Sequence, residues 1–170
     1  MIIDRLFDDW RRYGIRKCEY ERPIAFRTVD GWQLYKPAIY KWVWDRGPFG
    51  IMHPAGYRWD GASVPGIARG VVDPARLWEA SLPHDVGYET QGGLRPFRVW
   101  HDDGTFSQQQ LVNWYTSRPL SENPVSKGRW DAVLFAFALA SGVHPGMAEE
   151  TYVAVTIGGG QAWASEEAAV

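Results

Sequence analysis

The run RWDAVLFAFALASG, residues 129–142, is apolar almost all round and closes on a glycine. A helix without a polar face has to lie at the centre of a domain, covered on every side. The sequence upstream offers strands for that cover. From Pro23 to about Met52 the apolar period shortens to two. PIAFRTV and WQLY flank Asp30-Gly31, a two-residue hairpin signal. AIYKWVW sets Ile39, Lys41 and Val43 on one face and Tyr40, Trp42 and Trp44 on the other. Gly47-Pro48 reads as a turn and FGIM as a fourth strand, so the economical arrangement is an antiparallel β-meander.

The remaining segments fit around that pair. Residues 2–13 read as a short amphipathic helix, with Ile3, Leu6, Phe7 and Trp10 at helical spacing. Residues 53–73 form a long loop rich in Gly, Pro and Ala. Asp73-Pro74 then opens a helix reaching about Thr90, which Pro83 is expected to kink or interrupt and Gly92-Gly93 stops. A small hairpin is expected at 97–106 around Asp103-Gly104, followed by a short helix in SQQQLVNWYTS. Pro145 opens a last helix. Strands first and helices after make the fold class α+β: a small antiparallel β-meander packed against three to four helices. At 170 residues the chain is one domain, with an N-terminal helix and basic segment (1–22), a core (23–158) and a small-residue tail (159–170).

Composition removes several function classes. With 18 basic and 20 acidic residues the charge is nearly balanced, unlike a surface built to bind phosphate backbones. A single cysteine, Cys18, excludes an internal disulfide framework and a cysteine-built zinc site. No apolar run approaches the roughly 20 residues that span a bilayer. Residues 1–70 hold 12 basic and 8 acidic side chains, whereas residues 71–170 hold 6 and 12. Ten tryptophans and eight tyrosines read either as large rings filling the core or, together with that bipolar distribution, as subunit contacts.

The residues that carry chemistry gather in two stretches, Trp59-Asp60-Gly61-Ala62-Ser63-Val64-Pro65 and Pro83-His84-Asp85-Val86-Gly87-Tyr88. On a helix His84 and Tyr88 share a face, and Asp85 falls beside Trp78 and Leu82. A histidine and an aspartate so close to apolar packing need polar partners. Asp131, near the start of the buried helix, and Asp60, in the Gly-rich loop, are the candidates.

These motifs resemble a bacteriophage and prophage family catalogued as a domain of unknown function. The likeness lies in the loop Asp60 to Pro65, in the helix bearing Ala80, His84, Asp85 and Tyr88, and in Trp130, Asp131, Leu134 to Leu139, Gly142 and Val143. It covers about residues 25–158. Pro83 departs from it, standing where an aliphatic residue is usual, and the insert around His101-Asp102-Asp103 is private to this chain. The resemblance implies a phage protein made in the host cytoplasm, and it carries no activity with it.

Four readings of the set stand open. The leading one is a virion-associated component, of the tail, meeting other phage virion proteins or itself through aromatic contacts, with Trp163 anchoring the tail segment. The alternative is metal-assisted hydrolysis, with Asp60, His84, Asp85 and Asp131 binding a divalent metal or water and His84, Asp85, Tyr88 and Asp131 as the catalytic group. HD phosphohydrolases are excluded because their all-helical fold does not fit the strands upstream. Secreted phospholipases A2 share His-Asp-x-x-Tyr with a distant Asp, but their scaffold depends on many disulfides. What remains of that likeness is an orienting logic, in which an aspartate and a tyrosine hold a general-base imidazole. The third reading is a hydrogen-bond network fastening loop to helices, or Asp131 serving the first turn of its own helix. The fourth is a ligand pocket without turnover, although no phosphate-loop or dinucleotide fingerprint is present. His53 and His144, each beside a proline, read as surface loop, His101-Asp102-Asp103 as a solvated hairpin tip, and Cys18 as a reduced bystander.

Overall fold

The computed structural model describes residues 14–60, 77–160 and 163. The helix expected at 2–13, the opening of the helix at Asp73-Pro74 and most of the tail lie outside these residues. Within them the chain runs β1 (Arg16–Tyr20), β2 (Ala25–Arg27), β3 (Trp32–Leu34), β4 (Ala38–Trp44), β5 (Gly47–His53) and β6 (Arg58–Trp59). Then follow α1 (Trp78–Glu89), β7 (Phe97–Trp100), β8 (Phe106–Gln109), α2 (Lys127–Ala140) and α3 (Pro145–Gly158). The fold is α+β with every strand pair antiparallel. In place of one meander the strands form three small sheets, ordered β1-β4-β5, β2-β3-β6 and β7-β8. None of the helices among the described residues is long and apolar enough to cross a membrane.

The β4 alternation is realised as expected, with Ala38, Tyr40, Trp42 and Trp44 buried and the residues between them half-buried. The turn to β5 falls on Asp45-Arg46, two residues before the expected Gly47-Pro48, because Trp44 pairs with Gly47 and Pro48 already sits in the strand opposite Val43. β2 and β3 form the expected hairpin, but its loop is four residues long and closed by Thr28 N–H donating to Gly31 C=O at 2.8 Å. Gly31 is required by crowding: a Cβ there would come 2.3 Å from the Trp59 carbonyl oxygen on neighbouring β6. β1 lies where no strand was expected, and the helix expected at 107–117 does not form. Gln108 and Gln109 pair with β7 instead. The Asn113 side-chain oxygen takes Gly50 N–H at 3.2 Å and Tyr115 N–H at 3.1 Å, giving the backbone an alternative to helix.

α2 is the central helix, buried from Trp130 to Leu139. Phe137 packs edge-on against Tyr40, Tyr20 and Trp42, and Trp130 against Trp42. The aromatic excess is therefore largely core: of the described tryptophans, Trp114 alone is exposed. Gly142, at φ +92°, ends α2, with Val143 N–H reaching back to Ala138 C=O and Gly142 N–H to Leu139 C=O, both at 3.0 Å.

Pro83 does not interrupt α1, which runs through it. A proline removes one helical N–H and leaves the carbonyl four residues earlier without its donor. That carbonyl belongs to Glu79, and the Tyr40 hydroxyl donates to it at 2.5 Å from the neighbouring sheet. The gap in the helix is thus closed by a strand.

Candidate functional site

Three segments meet at the polar cluster: α1 with His84, Asp85 and Tyr88, the first turns of α2 with Lys127 and Asp131, and Asp60 just after β6. Their approach has identifiable causes. A Cβ on Gly87 would lie 2.3 Å from the Trp130 indole, so α1 and α2 come this close only because Gly87 has none. Asp131, the next residue, is thereby carried to the His84–Tyr88 face. On the other side the Trp59 indole Nε1–H donates to Trp78 C=O at 3.0 Å, and the Trp78 ring stacks against those of Trp59 and Trp32. This ties the residue before Asp60 to the first turn of α1.

Asp131 is fully buried and its charge is answered on both oxygens. Oδ1 accepts the Tyr88 hydroxyl at 2.6 Å and pairs with His84 Nε2 at 3.0 Å, while Oδ2 accepts Lys127 Nζ at 2.7 Å. Lys127 also donates to Val155 C=O at 3.0 Å. Burial by itself would push the Asp131 carboxyl up, but the His84, Lys127 and Tyr88 donors outweigh it and hold it below the ordinary range. Burial and then the bond to Asp131 push the Tyr88 phenol well up, so it stays a donor. For His84 burial works against the charged form, yet the bond to Asp131 and the nearby Asp85 carboxyl prevail and raise it.

The carboxylate only accepts, so the neutral His84 ring carries its proton on Nε2 and presents a lone pair at Nδ1. Nδ1 faces Asp85 Oδ1 at 3.6 Å, beyond a direct hydrogen bond. Exposure rises along this line: the side chain of Asp131 is 1% accessible, that of His84 9% and that of Asp85 20%. Asp85 also lies close enough to the exposed Asp60 to feel its charge. Burial, then the Asp60 charge, push Asp85 up to about 8.

All five residues singled out from sequence, Asp60, His84, Asp85, Tyr88 and Asp131, thus belong to one connected cluster. They do not form the expected metal ligand set. Asp131 and His84 Nε2 are spent on each other, on Tyr88 and on the Lys127 ammonium. Among the described residues no group of three or more His, Cys, Asp or Glu is arranged to hold a metal ion. Asp131 does not cap its own helix either, since it is the fifth residue of α2. Lys127 was missed, and its signal was present: a lysine four residues ahead of a buried aspartate on one helix face.

His53 corrects another expectation. It is a fully buried strand residue, with Nδ1 bonded to Ala38 C=O at 3.0 Å and Nε2 without a hydrogen-bond partner. Burial pushes its pKa down to about 4. His144 is the N-cap of α3, accepting Gly146 N–H at 3.0 Å. His101 bonds Ser107 and Asp103 caps its turn through Thr105, as a solvated hairpin tip would. Burial pushes the Cys18 thiol up to about 12, which fits a bystander. Ser63, Arg11 and Arg12 lie outside the described residues. No family model, curated protein or solved structure matches the chain.

Proposed function

We propose that this protein is a hydrolase in which His84 is the general base and Asp131 its orienting partner. The observation that supports it is the asymmetry around the imidazole. Nε2 is locked onto a buried, fully bonded carboxylate, while Nδ1 is left as a lone pair facing the more open Asp85. At 3.6 Å from Asp85, Nδ1 has no direct bond to that carboxyl and can take a water on the open side of the pair. In the reaction that water would give its proton to Nδ1, and the imidazolium formed would be stabilised by the Asp131 charge. Asp85, whose carboxyl burial and the Asp60 charge favour in its protonated form, would return a proton to the leaving group. A positioned base of this kind contributes about 10²–10⁴-fold in rate.

The test is turnover of a panel of chromogenic carboxylic and phosphoric esters by the wild type, with and without added divalent cations, beside His84→Ala and Asp131→Asn. Loss of about 100-fold or more in kcat for His84→Ala, with an unchanged circular dichroism spectrum, is the expected result. Turnover that survives in His84→Ala would dispose of the reading. Dependence on a divalent cation would instead restore the metal-assisted form of it.

A second reading is favoured by a different observation. The turn at 111–119 is braced by the two hydrogen bonds of Asn113 and presents Trp114 and Tyr115 about half exposed, beside exposed Val112. We propose, as the alternative, that this tip is a subunit contact of a phage particle, of its tail. Mass spectrometry of purified particles checks it, and the chain's absence from them would end it.

A further inference from the structure

The back of the cluster is closed by the C-terminal end of α3. Val155 C=O accepts the second hydrogen bond of Lys127 Nζ. One turn on, Gly159 packs so closely that a Cβ there would lie 2.5 Å from the Tyr88 hydroxyl and 3.3 Å from Lys127 Cε. Beyond it, Trp163 sets its ring edge-on to Tyr88 with centroids 5.2 Å apart, and its carbonyl accepts Gln91 Nε2 at 3.0 Å. Trp163 N–H in turn bonds Gly159 C=O at 3.0 Å, so helix end and ring form one unit. These contacts fall on Tyr88, on Lys127 and on the end of α1. Tyr88 and Lys127 are two of the three side chains that bond Asp131.

We infer that this end of α3 is a positioning device for the dyad: it holds Tyr88 and Lys127 on Asp131 and keeps water from the Asp131–His84 bond. The inference rests on the reading that His84 works as the base, and it names Trp163 as the side chain that completes the site. The role is mechanical. Asp131 has two oxygens and three donors, and each donor has little freedom. Tyr88 is wedged by the Trp163 ring and the Gly159 backbone, and Lys127 is pinned by Val155 C=O. With the ring removed, water reaches the phenol and competes for Oδ1, where the His84 bond is made. The charged and titratable groups around His84 are Asp85 and Tyr88 from α1, Asp131 and Lys127 from α2, and Asp60 after β6. α3 adds no charge to this ring of groups, only packing and a carbonyl.

The experiment follows the His84 Nε2 proton by NMR on protein labelled with ¹⁵N in its histidines, with His84→Asn assigning the signal among the four histidines. In the wild type the Nε2–H should appear shifted downfield and exchange slowly with water. Trp163→Ala should exchange it at least ten times faster, and Trp163→Phe, which restores a ring edge, should return it to within about twofold of the wild type. Gly159→Ala, which drives a methyl at the Tyr88 hydroxyl, should speed exchange from the other side. A folded Trp163→Ala protein with an unchanged exchange rate would overturn the inference. So would a loss that Trp163→Phe fails to repair. If the wild type shows no Nε2–H bonded to Asp131, the dyad itself fails, and that result is distinct from a failure of the seal.

Discussion

Burying His53 in its neutral form should make this protein sensitive to mild acid. The imidazole is fully enclosed, its Nδ1 is committed to Ala38 C=O, and Nε2 meets no acceptor that would welcome a second proton. Its neighbours are the rings of Tyr40 and Tyr57, at 5.4 and 5.8 Å between centroids. The folded state therefore takes up the proton only near a pKa of about 4, whereas the unfolded chain takes it up near 6.5. A depressed value means that the unfolded state binds the proton first. The stability that His53 contributes is complete above about pH 6.5, declines as pH falls, and is gone below about pH 4. Linkage puts the loss at ~2 kcal/mol by about pH 5 and ~3 kcal/mol in full. His84 has the opposite sign: its pKa is raised on folding, so its contribution is present in acid and lost as pH rises through the folded value. The two can be separated by substitution. Urea unfolding at fixed ionic strength, from about pH 7 to about pH 5, should show the wild type losing about one proton's worth of slope more than His53→Asn, which keeps a donor at the Nδ1 position. The variant will start from a lower stability, and only the difference in slope bears on the argument. Equal slopes in the two proteins would refute it.

Two further substitutions test the packing that builds the site. Gly87→Ala puts a methyl into the Trp130 indole and should cost about 1–3 kcal/mol by overpacking, read in urea unfolding, while lengthening the His84–Asp131 contact in the same protein. Tyr40→Phe strips the Glu79 carbonyl of its donor inside a helix that cannot supply one, and should cost about 1–3 kcal/mol with no change in the circular dichroism of the folded state. A Tyr40→Phe protein as stable as the wild type would show that water or a local adjustment satisfies that carbonyl.

What could be read from sequence follows from how local each cause is. The β4 alternation and the all-round apolarity of α2 are statements about faces, and they held because burial decides faces. The cluster was legible for a related reason. His84 and Tyr88 sit one helical turn apart, and Asp131 is the sole charge between Trp130 and Leu139 in an apolar run, so each demanded a partner. β1 was hidden because RKCEY is an edge strand, mostly exposed and paired only to β4 through a register irregularity. The turn at 111–117 imitated a helix because Leu111, Trp114 and Tyr115 have the right spacing, while the cause that mattered was the Asn113 side chain reaching Gly50. His53 was misread through its proline neighbour. Nothing local announces that β5 extends one residue further than its apolar run and delivers the imidazole into the core. The role of Trp163 depends on contacts with Tyr88 and Gln91 made across the whole length of α2 and α3.

The closure of α1 by Tyr40 also bears on the order in which the molecule can assemble. A short helix with a proline at its centre is a poor nucleus, since it lacks a rung of its ladder at the point where propagation should proceed. The missing rung comes from 39 residues away and exists only once β4 has met the helix. α1 and the β4 face must therefore become structured together, and the rate of that step is governed by closing the long chain segment between them. A fragment carrying α1 alone should stay largely unfolded. The segment that bears His84 and the strand that completes it acquire their shapes in one step.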